Sequence, residues 1–173
     1  MAGNAWRLED DVFAADARLK IEYLGPDPFK VYAPTNSLLR RIHGLGAEEV
    51  WERDFRWDIS DPNKRYFFVR TYANKSFDQH TRMLVEVILQ GEQSIDPNKE
   101  GKVNITLNAR LTTEFPFQSG LQKLPIYRAL LWLYFKIFYN DIRRGYFKMA
   151  QQEMWTLEKS FRQILQLPVR GVV

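Results

Sequence analysis

Carboxylates are the first candidates for chemistry in this chain. Glu52, Asp54 and Asp58 share one parity of an alternating segment, Trp51 to Ile59. Paired carboxylates serve as general acid and base when their surroundings push their pKa values apart. These three alternate with Arg56 and stand opposite Trp51, Phe55 and Trp57, so a solvated, charge-balanced sheet face accounts for them better. The two histidines are the other proton-transfer candidates. His43 ends an expected helix, where a cation is favourable, and His80 begins an expected strand on the polar parity. Neither has a second His or an acid at a metal-ligand spacing, so both read as structural or surface residues.

The chain has no cysteine, which excludes disulfides, thiolate metal sites and a cysteine nucleophile. Gly-x-Ser-x-Gly is absent. Gly44-Leu45-Gly46 lacks the third glycine and the preceding strand of a phosphate-binding loop. No catalytic residue, metal site or cofactor is therefore expected. A cyclase or hydrolase of small apolar substrates stays open as a third option that no residue demands.

Arg53 is the sharper candidate. Its parity places it with Trp51, Phe55, Trp57 and Ile59, on the face that should be dry. A buried guanidinium needs a carboxylate, a carbonyl or a ligand anion. It either anchors an acidic group of a ligand, or pairs internally or snorkels at the strand end. The second unusual feature is the aromatic run Tyr127, Trp132, Tyr134, Phe135, Phe138 and Tyr139. It reads as core, as the lining of an apolar cavity, or as an interfacial membrane segment with Arg143, Arg144 and Lys148 facing anionic lipid. The run is too short and interrupted to span a bilayer. Residues 121–173 carry 9 of the 25 Lys and Arg but only 3 of the 21 Asp and Glu. Such an excess attracts phosphate, although dispersed charges also describe an ordinary solvated helix.

The elements that must position these residues follow from periodicity. Hydrophobic residues make up 45% and charged residues 27%, a globular composition, and 173 residues suit one domain. Residues 1–16 read as a loose or short helical lead-in. The acids Glu9, Asp10 and Asp11, without an apolar run, argue against a signal peptide and for a cytoplasmic, soluble protein. Residues 17–118 form a strand-rich region, starting with alternation from Ala17 to Leu24. A helical insert lies near 35–43, with Thr35 or Asn36 as N-cap and Gly44 as stop. Further strands cover Trp51–Ile59, Arg65–Ala73 and Thr81–Gly91, with no face assigned to Tyr66, Phe68 and Tyr72. Alternation from Lys102 to Phe117 is the longest. It implies one dry and one wet face, hence an antiparallel sheet.

Residues 119–168 form the helical cover and 169–173 a tail. Pro125 suits a first helical position. Ile126–Tyr139 is apolar almost all round, which predicts burial on several sides, between the sheet and a stripe of Phe147, Ala150, Met154, Leu157, Phe161 and Ile164. That stripe is also spaced like a coiled-coil seam and offers a homodimer contact. The fold class is α+β: a long-stranded antiparallel sheet with one face covered by C-terminal helices.

The first strand at Ala17–Leu24, the helical insert at Thr35–His43, the strands from Trp51 to Phe117 and the helix from Pro125 resemble the helix-grip fold of the START-like superfamily. The five strands read here are fewer than that superfamily usually has, and the C-terminal helical region is longer. The resemblance implies an apolar cavity between sheet and helix that holds a lipid or another small molecule. The expected function is non-enzymatic binding of such a ligand, with Arg53, Trp57, Val85, Leu107 and Trp132 as candidate lining. The alternative is an interaction module whose basic, aromatic helical end, around Arg143, Arg144 and Lys148, meets RNA or a ribosome, a protein partner or an anionic membrane surface.

Overall fold

Period-two alternation becomes six antiparallel strands in a computed structural model that describes residues 5–13, 18–96, 98–117, 120, 122 and 124–168. The strands are β1 (Ala5–Asp11), β2 (Leu19–Pro26), β3 (Val50–Asp58), β4 (Lys64–Ser76), β5 (Thr81–Ser94) and β6 (Glu100–Pro116). Their order is β1-β6-β5-β4-β3, and β2 also pairs with β6, below β1 on the same side. The lead-in is thus a strand, not a helix. Leu8 lies opposite Thr113, and Asp10 opposite Leu111, so β1 extends the sheet along the far half of β6. The expected start at Ala17 and the tail 169–173 lie outside the described residues.

A 3-10 turn (Pro28–Val31) leads into α1 (Tyr32–His43). The helix starts earlier than expected. Thr35 is an interior residue whose hydroxyl donates back to the Val31 carbonyl at 2.7 Å. Gly44 ends the helix as expected, in the left-handed region at φ 67°, where only glycine sits without a Cβ penalty.

The dry face of the sheet is Val69, Ala73, Met83, Val85, Val87, Leu89, Val103, Ile105, Leu107 and Leu111, all fully buried. It is covered by α1 and by α3 (Asn140–Ile164), whose Ala150, Met154, Leu157 and Phe161 are also fully buried. The seam-like stripe is therefore turned onto the sheet of its own chain. The other face is open and carries Lys20, Tyr66, Phe68, Arg70, Tyr72, Glu86 and Arg110.

The remaining helix corrects the expected packing. α2 (Pro125–Tyr134) continues through a π turn (Phe135–Tyr139) into α3 without a break, and α2 contains no buried residue. It does not lie between the sheet and the stripe. The reason is space: α3, about 37 Å long at 1.5 Å per residue, already crosses the dry face beside α1. The apolar stretch runs on past the end of the sheet as an arm.

Candidate functional site

Among the described residues, the arm touches the body mainly along one line, with Arg128 over Phe117 and the Tyr134 ring 6.5 Å from that of Phe115 beside it. Tyr127, Leu131, Phe135 and Tyr139 recur every four residues and so share one helix face. Tyr127 meets Phe117 at 6.4 Å between ring centres, Phe135 meets Trp6 at 4.7 Å, and Tyr139 meets Phe115 at 5.4 Å. The rest of the arm faces outward. Ile126 is 70% exposed, Leu130 60% and Phe138 62%, and Trp132, Leu133, Tyr134 and Ile137 are exposed beside them. From Phe115 to Asn140 the sequence has no acidic residue. Of its three cations, Lys123, Arg128 and Lys136, the last two lie against aromatic rings, Arg128 5.4 Å from the Phe117 centroid and Lys136 4.8 Å from that of Trp132.

A chain of polar groups fastens the root of the arm. Tyr139 donates to Asp78 Oδ2 at 2.7 Å, and its hydroxyl meets Thr81 Oγ1 at 2.7 Å. Thr81 Oγ1 meets Thr113 Oγ1 at 2.8 Å, and Arg143 Nε donates to Thr113 at 3.0 Å and Nη2 to Asp10 at 2.6 Å. Burial pushes the Asp78 carboxyl up. Hydrogen bonds from Tyr139 and from the backbone N–H groups of His80 and Thr81 outweigh it, holding the group below its ordinary value. Burial, with the Asp78 carboxylate beside it, pushes the Tyr139 phenol well above its ordinary value. Both shifts keep Asp78 charged as acceptor and Tyr139 neutral as donor. The cluster is a structural latch, in which each polar group is taken up by another.

The expected lining residues are not brought together. Val85 and Leu107 are fully buried in the core, Trp57 lies at the β3 edge against Phe29, and Trp132 is on the arm. Arg53 is exposed because β3 has a bulge between Glu52 and Asp54. The extra residue reverses the parity of everything before it. Trp51 therefore stacks on Tyr72 of the open face, 5.7 Å between centroids, and Arg53 lies 5.9 Å from the same ring. Phe55 and Trp57 stay on the helix side, and Glu52 reaches Tyr32 of α1 there.

The structure brings the basic set together along one open cleft, where its three members differ in exposure. Arg143 is buried and engaged by Asp10 and Thr113. Arg144 and Lys148 are exposed, and all three line an open cleft of about 390 Å³ with Asp10, Asp11, Phe147 and Gln151. His43 is buried, its Nδ1 2.8 Å from Glu153, which also pairs with Lys75. His80 stacks on Phe115 at 4.2 Å. Among the described residues no group of three His, Asp or Glu could hold a metal ion, and no helix is long and apolar enough to cross a membrane.

Sequence reasoning does not find the latch, because its members come from four separate segments. Only the hydroxyl of Tyr139 within an apolar run hints at a polar partner. No family model and no curated protein matches the sequence. A solved structure of an uncharacterised protein from Rhizobium leguminosarum aligns over 93% of this chain and 98% of that one, at 10% identity and a TM-score of 0.22. A likeness that weak carries no argument.

Proposed function

We propose that this chain is a peripheral membrane-binding module that inserts its α2 arm into the interface of an anionic bilayer. The observation that supports this reading is the arm itself: an apolar helix, without acids, that among the described residues leaves most of its surface exposed. A protein partner covers one stripe of a helix. Here Ile126, Leu130, Trp132, Leu133, Tyr134, Ile137 and Phe138 are all exposed. Fluid hydrocarbon accepts such a surface from every side. Trp and Tyr suit the headgroup level, and Lys136 and Arg128 have stems long enough to reach lipid phosphates. The helix-grip frame enters this proposal as the support that holds the arm, with the core filled by side chains rather than by a ligand.

The test is sedimentation with vesicles of phosphatidylcholine alone or mixed with phosphatidylserine. Binding to the anionic vesicles is expected, weaker in high salt, and lost in Leu133→Glu/Ile137→Glu, whose exposed positions leave folding intact. Equal binding by that variant, or a salt-stable dimer of the wild type in light scattering that the same variant dissolves, contradicts the reading.

A further inference from the structure

We infer that the molecule lies on the bilayer along its whole long helix, with the outer face of α3 and the basic end of α1 against anionic headgroups and the open sheet face turned away. The inference rests on the membrane reading and extends it from one arm to one side of the protein.

What carries it is a sorting of charge. Of the three acids in α3, two are turned inward and neutralised. Glu153 lies between His43 and Lys75, and buried Glu158 accepts from Arg162 at 2.9 Å. Only Asp141 is exposed, and Arg144 is its neighbour at 3.9 Å. The outer face of α3 otherwise shows the cations Arg144, Lys148 and Lys159, interleaved with exposed Ile142, Met149 and Trp155. α1 packs beside α3, exposes Arg40 and Arg41 and contains no acid. The open sheet face is balanced instead. There Arg70 pairs with Asp54 and Glu86, Arg82 with Glu114, Lys64 with Glu92, and Arg110 with Glu9. One side of the molecule therefore complements an anionic surface and the other does not.

Distance decides between this pose and one in which the arm plunges in end-on. Lys159 lies about 30 Å along the helix from Phe138. An end-on arm would leave it several Debye lengths from the lipid, where its charge gains nothing. Lying down brings every outward cation to the headgroups. The π turn makes this continuous, because Leu131, Phe135, Tyr139 and Arg143 all stay on the inner face through it. The outward line then runs from Leu133 and Ile137 to Lys148, Gln152 and Lys159.

The cysteine-free chain allows one label at a time. Ile137→Cys marks the arm, Gln152→Cys the outer face of α3 and Gln90→Cys the open sheet face. Each carries a fluorophore read by a water-soluble collisional quencher, with and without phosphatidylserine-containing vesicles. The expected result is several-fold shielding at 137 and 152 and none at 90. Shielding at 137 without shielding at 152 overturns the lying pose and leaves the membrane reading standing. Shielding at 90 in place of 152 overturns the orientation, and no shielding at 137 overturns both. Independently, Lys159→Gln is expected to weaken binding to anionic vesicles about fivefold; unchanged affinity overturns the pose.

Discussion

Tyr139 donates a 2.7 Å hydrogen bond to Asp78, so the last residue of the π turn is tied to the loop between β4 and β5. The same carboxylate accepts the backbone N–H groups of His80 and Thr81, both at 2.7 Å. One acid thus shapes the β4–β5 turn and holds the root of the arm. Phe115, stacked on His80 and edge-on to the Tyr139 ring, packs beside the bond.

Tyr139→Phe removes the hydroxyl and leaves Asp78 and Thr81 short of a partner in a buried place. Such a deletion costs about 1–3 kcal/mol. Urea denaturation is expected to show stability lowered by that amount with an unchanged slope. Lipid binding should survive in the folded fraction, because the outward face of the arm is untouched.

Acid sensitivity follows from Glu153. Burial pushes its carboxyl up, but hydrogen bonds from His43 and Lys75 and their charges outweigh that and hold it below its ordinary value. A depressed folded value means that the stabilisation is complete above the unfolded pKa, about 4.3, and is lost as pH falls through the lower folded value. Asp78 acts with the same sign. The Tm measured against pH is expected to fall more steeply below about pH 4 in the wild type than in Glu153→Gln. That variant should be less stable at neutral pH, where it leaves His43 and Lys75 without their carboxylate. Parallel curves would contradict the assignment.

Arg53→Met separates the sequence reading from the structure. A guanidinium on the dry face would be costly to remove from its partners. An exposed one on the bulge, resting on Tyr72, should change stability by no more than about 0.5 kcal/mol. Thermal unfolding of the variant checks this, and a loss of several kcal/mol would place Arg53 back inside.

The sheet was legible because its central strands alternate strictly. Val85, Val87, Ile105 and Leu107, and the stripe Ala150–Phe161, all lie where their spacing puts them. β1 was not legible, since Glu9, Asp10 and Asp11 break its alternation. Asp10 occupies an inward position only because Arg143 meets it there. The face of Trp51 and Arg53 depends on one extra residue in β3, and no local signal marks that bulge. The arm failed for a different reason. An apolar helix states that it avoids water, and says nothing of whether protein or lipid replaces it.

Trp132 offers the most direct test of the account, because it is the one tryptophan of the arm among the five in the chain. Its emission would be followed as phosphatidylserine-containing vesicles with brominated acyl chains are added. The account predicts strong quenching that falls in Trp132→Phe to the part contributed by Trp155 on the outer face of α3 and is absent with brominated phosphatidylcholine alone. Emission that stays unquenched at saturating anionic lipid would contradict the claim that the arm enters the membrane.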